Sequence, residues 1–277
     1  MPKASQQIRV LNELAALERQ HRVTLLYACE AGSRVWGFPA ADSDYDVRFI
    51  YVRPRQWYKL PHSPTRRPAI VRQVGRFDMI GWDLRKVLAR LHLSQPTVLE
   101  WLASDQVYFN LDDFQQAANR VADSTFSAPA CLAQYVVWAR RNYDKFFDQP
   151  RRSTKHYCLV MRPLLAALWL ERGWGRPPLS LARLSARLIS WAPLKTAIDQ
   201  LLEPARGTKK RVSGQGLRVV EEFMAGHFSR LSHIRMPRAQ VPSAIPAPLN
   251  RLFRKLVERY DTSTDEEIDL TDFRPTT

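Results

Sequence analysis

Residues 23–48 read VTLLYACEAGSRVWGFPAADSDYDVR, and the order of their parts decides the fold. Val23–Cys29 is β-branched, aromatic and almost continuously apolar, as a strand covered on both faces would be. It runs into Glu30-Ala31-Gly32-Ser33, a strand-to-helix turn. Glycine lets the backbone approach a phosphate closely, and the exposed N–H groups at such a turn favour negative charge. The Ser33 hydroxyl adds one more donor. Asp44 and Asp46 follow two residues apart, so in an extended chain both point to one face, about 6–7 Å apart along the backbone. Paired carboxylates repel unless a cation lies between them. Hard oxygen ligands at that spacing suit Mg²⁺, which takes one or two carboxylates and fills its shell with water and phosphate oxygens. Alone, a Gly-Ser turn is a common loop and an Asp-x-Asp is usually a solvated turn; their conjunction between two strands is what carries the functional reading.

Outward from this stretch, residues 5–20 have the apolar spacing of an amphipathic helix, with Ile8, Leu11, Leu14 and Leu17 on one side and Arg9, Glu13 and Arg19 on the other. Strands are expected at Val47–Val52 and Arg76–Ile80, and a helix from Asp83 to Leu93 with Asp83 as its N-cap. A two-metal site needs a further carboxylate. Asp78, a polar residue inside an apolar strand, is the expected third ligand and base; Asp83 is the fallback, because capping already explains it. Arg53–Arg72 holds six bases, several prolines and His62, and reads as a mobile loop beside the site. From Pro129 on the signals are helical: Cys131–Phe147, Lys155–Arg172, Leu179–Ser190, Pro193–Leu202, Gln215–Phe228 and Pro248–Tyr260. The expected organisation is a mixed catalytic domain over 1–125, a helical nucleotide- and acceptor-binding domain over 126–260, and a tail over 261–277.

The charge points to a polyanionic partner. The chain carries 42 Lys and Arg against 27 Asp and Glu, a net charge of +15. Residues 261–277 hold six of the acids and only Arg274, so residues 1–260 contain 41 bases and 21 acids. A basic body of this kind attracts nucleic acid, and the acidic tail is expected to fold back onto it and compete. Bases and aromatics interleave from Trp138 to Tyr157, as in surfaces that neutralise phosphates and stack a base; a solvated helix face over core aromatics would read the same way. Arg206, Lys209, Lys210 and Arg211 form a second patch, either tracking an acceptor backbone or keeping a loop soluble. Cys29, Cys131 and Cys158 are odd in number and have no CxxC pair, which excludes a disulfide framework and a zinc ribbon and fits a reducing cytoplasm. The six histidines lack zinc-site spacing. No stretch is apolar enough to insert in a membrane.

The pattern G-S-x-x-x-G with a downstream S-D-x-D resembles the nucleotidyltransferase superfamily of DNA polymerase β, poly(A) polymerases and the tRNA CCA-adding enzymes. Ala31–Phe38, Ser43–Val52, Gly81–Lys86 and the segment Arg162-Pro163-Leu164-Leu165-Ala166 are similar to a narrower group, the predicted bacterial RNA repair pathway DNA polymerase β family (RlaP-like). The resemblance spans roughly residues 20–180. It implies an α+β fold, a polymerase-β-like domain with a small mixed sheet followed by a mostly helical domain. It also implies Gly32 and Ser33 as the triphosphate cradle, Asp44 and Asp46 as ligands of two Mg²⁺ ions that Mn²⁺ can replace, and an NTP substrate. In this superfamily the domain after the catalytic one commonly holds the base, which makes Lys155, Tyr157 and Arg162 candidates for NTP contacts; Arg34 and Arg48 either touch phosphate or form structural salt bridges. The preferred acceptor is an RNA 3′ end. Transfer to a protein or small molecule, or a catalytically silent RNA-binding module on the same fold, are the alternatives, and the oligomeric state is open.

Overall fold

The computed structural model describes residues 4–40, 42–59, 69–147, 152–203, 214–234 and 246–261. Helix α1 (Ala4–His21) leads into β1 (Thr24–Ala31), the short α2 (Gly32–Trp36) and β2 (Tyr45–Val52). Strands β3 (Ala69–Val74) and β4 (Phe77–Asp83) precede α3 (Leu84–His92) and α4 (Pro96–Leu102), then β5 (Val107–Asn110) and α5 (Phe114–Thr125). The remainder is helical: α6 (Ala128–Phe147), α7 (Thr154–Glu171), α8 (Leu181–Leu188), α9 (Ala192–Leu202), α10 (Gly214–Arg230) and α11 (Ala247–Arg259). This is the α+β arrangement expected from the sequence.

The strands form one mixed sheet in the order β3-β4-β2-β1-β5. Only β2 and β4 run parallel, and their register sets Asp46 opposite Asp78 and Arg48 opposite Ile80. The antiparallel pairing of β1 with β2 sets Ala31 opposite Asp46. Period-two alternation then sorts the side chains. Val47, Phe49 and Tyr51 of β2 and Phe77 and Met79 of β4 pack with Val10, Leu14 and Leu17 of α1. Ile50 and Val52 belong to the opposite face, in a core shared with α3–α11. Asp46, Arg48 and Asp78 share that second face, which the helical half covers. Gly81 is required on the α1 side, because a Cβ there would lie 2.0 Å from the Phe49 ring.

The division at 125/126 falls between α5 and α6, and the apolar core runs across it without a break. One polar cluster also joins the halves. The carboxylate of Glu100, on α4, accepts hydrogen bonds from Trp36 Nε1 (3.0 Å), from Tyr135 OH of α6 (2.7 Å) and from the guanidinium of Arg162 on α7. Arg162 Nε also donates to the Leu179 carbonyl at 3.2 Å.

Two expectations change. Residues 69–74, read as part of a basic loop, form the edge strand β3; Pro68 and the bases around it mask six residues that alternate weakly, and Val71 at the edge is 68% exposed. Strand β5 and helices α4 and α5 fill a span left unassigned by residue pattern alone. The tail over 262–277 and the patch Arg206–Arg211 lie outside the described residues. No described helix is long and apolar enough to cross a membrane.

Asp83 ends β4 and caps α3. Its Oδ1 accepts from the Arg85 N–H at 2.8 Å and its Oδ2 from Tyr58 OH at 2.8 Å. Burial raises its carboxyl above the ordinary range, opposed by those two hydrogen bonds. A raised native pKa means that the folded chain keeps the proton to higher pH than the unfolded chain. The group's contribution is therefore complete below its unfolded pKa of about 3.9 and declines as pH rises through the native value. Asp83→Asn keeps an acceptor and cannot ionise. In urea titrations the wild type should lose stability relative to this variant as pH rises from about 4 to about 7; a constant difference would mean that burial imposes no charge penalty at Asp83.

Candidate active site

The site is built where β1 ends. Gly32 has φ +66° and Gly37 φ +90°, so two left-handed glycines bracket the short α2. The Ser33 carbonyl accepts from the N–H groups of Gly37 (3.0 Å) and Phe38 (2.9 Å), closing the turn. A Cβ on Gly32 would lie 2.1 Å from Asp46 Oδ2. Glycine is thus needed here for two reasons: the backbone conformation, and the carboxylate that occupies the space of a side chain.

The segment that carries the acids is held at several points. Arg34 donates to the carbonyls of Ser43 (2.6 Å) and Asp44 (3.1 Å), with its guanidinium 3.9 Å from the centre of the Tyr45 ring. Arg76 Nη2 donates to the Ser43 carbonyl at 2.7 Å, and the Tyr45 N–H to the Arg76 carbonyl at 2.7 Å. Behind Asp46 sits Glu30, fully buried, whose Oε1 accepts from the Asp46 N–H (3.0 Å) and whose Oε2 accepts from Tyr108 OH (2.5 Å). Burial raises the Glu30 carboxyl, with Tyr108 opposing.

Asp46 and Asp78 converge on one nitrogen. Arg48 Nη2 is 2.7 Å from Asp46 Oδ1 and 2.9 Å from Asp78 Oδ2, while Nη1 donates to the Asp78 carbonyl at 2.7 Å and to the Val47 carbonyl at 3.1 Å. The Asp46 carboxyl is raised by burial first; Arg48 and Lys155 oppose that, and the charges of Asp78 and Asp44 add to it. Asp44 precedes β2 and is exposed, and no three His, Cys, Asp or Glu side chains among the described residues yet converge as a metal cage. The donor set nonetheless fits a hard divalent cation. Two carboxylates already share a single cationic partner, and the charge of Asp44, just before β2, acts on Asp46 as well.

A cleft of about 260 Å³ opens over these groups. Gly32, Ser33, Asp46, Arg48 and Lys155 line it together with the apolar Trp36, Trp101, Trp138, Leu159 and Leu179. Lys155 comes from the first turn of α7; its Nζ lies 3.4 Å from Ser43 Oγ, and its charge opposes the upward shift at Asp46. Trp36 and Trp138 meet edge to face at 5.7 Å.

Among the expected nucleotide contacts, Gly32, Ser33 and Lys155 lie in the cleft. Arg34 lies beside it and is committed to the Ser43–Asp44 backbone. Tyr157 and Arg162 are corrections. Tyr157 is two residues from Lys155, and residues two apart do not share a helix face; it is buried, with its OH on Glu221 of α10 at 2.6 Å. Arg162 is fully buried, with Nη1 on Glu100 and Nε on the Leu179 carbonyl and with Nη2 unpartnered among the described residues. The fallback Asp83 is likewise a cap and not a ligand. Sequence reading missed Glu30, Glu100 and the bridging role of Arg48; the first two were detectable as single acids inside apolar runs, LLYACEA and PTVLEWL.

A mixed sheet with a Gly-Ser turn ending one strand and in-register carboxylates on the next two is the arrangement of the polymerase-β-type nucleotidyltransferases. The chain matches the RNA repair pathway DNA polymerase beta family (RlaP) over residues 7–255 and belongs to it. It is similar to the uncharacterized protein YcgL of Bacillus subtilis (strain 168), 33% identical over 251 residues that cover 90% of this chain and 96% of that protein. A crystal structure of a nucleotidyltransferase-like protein from Exiguobacterium sibiricum 255-15 aligns over 88% of this chain and 87% of that one, at 11% identity and a TM-score of 0.33, a likeness that carries no argument.

The Gly32 geometry is testable. Gly32→Ala should lower stability by about 1–2 kcal/mol through its left-handed backbone alone, and by more through collision with Asp46. In an Asp46→Ala background the carboxylate is gone and the same substitution should cost less, a non-additivity that urea titration of the four chains would measure. Strict additivity would contradict the close approach.

Proposed function

We propose that the chain transfers a nucleoside monophosphate from an NTP to an acceptor hydroxyl, an RNA 3′ end, with release of pyrophosphate. The observation that carries this reading is the convergence of Asp46 and Asp78, in register on parallel strands, with Asp46 directly against the Gly32 turn and lining a cleft that Lys155 also lines. Asp44, Asp46 and Asp78 are the residues that would hold divalent metal, Mg²⁺ or Mn²⁺. Bound there, the metal supplies charge neutralisation at the α-phosphate and brings the attacking and leaving oxygens into line.

The chain's own groups do the positioning. Backbone N–H groups at Gly32 and Ser33 and the Lys155 ammonium receive the triphosphate, and the Trp36–Trp138 pair in the cleft offers an apolar wall for the base. The acceptor oxygen forms a bond to the α-phosphorus as the bond to the bridging oxygen breaks, and pyrophosphate leaves. Asp78, whose side chain is 31% exposed, is reachable by the acceptor and takes the hydroxyl proton. No covalent enzyme intermediate is needed, since positioning and electrostatics supply most of the acceleration in phosphoryl transfer. Support for RNA as acceptor comes from the description of the family and from the net charge of +15.

The test incubates the purified chain with Mg²⁺, each α-labelled NTP in turn and a pool of short RNAs. Label should enter RNA with the wild type and fall by about 10²–10³-fold with Asp46→Asn, the scale of losing one preorganised electrostatic group. Label on protein or small molecules instead would reassign the acceptor, and label nowhere would favour a silent RNA-binding module.

A further inference from the structure

Among the described residues Arg48 is the one cation in direct contact with both carboxylates, and it also lines the cleft with Gly32 and Ser33. Its position serves two anions in turn. With Asp46 and Asp78 it makes two charge-assisted hydrogen bonds from one nitrogen, while Nη1 is anchored on the Asp78 and Val47 carbonyls. Such bonds to ionised partners are about twice as strong as neutral ones. A divalent ion held by the same two carboxylates would compete with this guanidinium for their negative charge. The side chain is only 14% exposed, so a displaced guanidinium needs a replacement anion close by. The cleft would offer one only when a polyphosphate lies along Gly32 and Ser33.

We propose that Arg48 couples metal binding to nucleotide binding: it holds the Asp46–Asp78 pair against a free divalent ion and releases it to a metal–triphosphate complex, whose phosphate oxygens it then engages. This inference rests on the proposed function, in that it takes the Gly32–Ser33 turn as the phosphate seat. Arg48 is on this account a positioning residue that makes the order of loading matter. The effect is a coupling free energy between two ligands, so a substitution must move the two affinities in opposite directions. A purely structural salt bridge would weaken both together.

Calorimetric titration of the full chain with Mn²⁺ alone and with preformed Mn²⁺·tripolyphosphate, a probe independent of the base, measures both affinities. For the wild type the complex should bind more tightly than the free ion. In Arg48→Met, free Mn²⁺ should bind at least about tenfold more tightly than in the wild type, the factor that corresponds to about 1.4 kcal/mol, while the complex should bind more weakly. Thermal melting in EDTA should show the variant destabilised, with a larger gain on adding Mn²⁺ than the wild type shows. Arg48→Lys, which keeps the charge on a single point donor, should fall between the two and guards against a misfolded Met variant. If Arg48→Met leaves the free-ion affinity unchanged or weakens it, the coupling role is overturned. Asp46→Asn separates the underlying reading: Mn²⁺ binding by the wild type that does not depend on Asp46 would overturn the metal site itself, whereas Asp46-dependent binding indifferent to Arg48 would overturn this inference alone.

Discussion

Placing two carboxylates in register on adjacent strands, on a face that a second layer then covers, creates a repulsion that the surrounding structure has to manage. Asp46 and Asp78 are paired by the parallel β2–β4 ladder, and burial pushes the Asp46 carboxyl upward. Two cations answer that charge: Arg48 bridges the pair and Lys155 acts on Asp46, whose N–H is tied back to the buried Glu30. Gly32 yields its side-chain space to one carboxylate oxygen. A divalent cation would answer the same charge more strongly than any of these, which is why the arrangement reads as a site and not as an accident of packing.

The helical half supplies the roof. Glu100 gathers Trp36 from α2, Tyr135 from α6 and Arg162 from α7 around one carboxylate. A buried acid with three donors is costly to disturb, since removing one partner leaves the remaining charge uncompensated. The pairing therefore fixes where α7 lies relative to the turn, and with it where Lys155 projects. The segment Arg162-Pro163-Leu164-Leu165-Ala166 owes its composition to this buried link and to the core around it, and its arginine serves architecture rather than substrate.

Much of this was legible from residue order. The apolar β1, the Gly-Ser turn and the Asp-x-Asp spacing depend on local geometry alone, and Asp78 stood out as an acid in an apolar strand; Lys155 was drawn from family resemblance and lies in the cleft. What was not legible depends on three-dimensional neighbours. Tyr157 and Lys155 differ by two positions on one helix, yet one meets Glu221 of α10 and the other the cleft, a distinction set by which face of α7 meets α10. Arg162 looks like a phosphate ligand until Glu100, 62 positions away, claims it. Strand β3 has too little alternation to declare itself and is held by its pairing with β4. Arg48 could be read as a salt bridge or a phosphate contact, and only the β2–β4 register reveals that it touches both acids.

The most direct measurement is a crystal structure of the chain with Mg²⁺ and a non-hydrolysable NTP. The account predicts the triphosphate against Gly32 and Ser33, the metal on the Asp46 and Asp78 carboxylates, and the Arg48 guanidinium moved from them onto phosphate. A nucleotide bound elsewhere, with Arg48 still bridging Asp46 and Asp78, would contradict it.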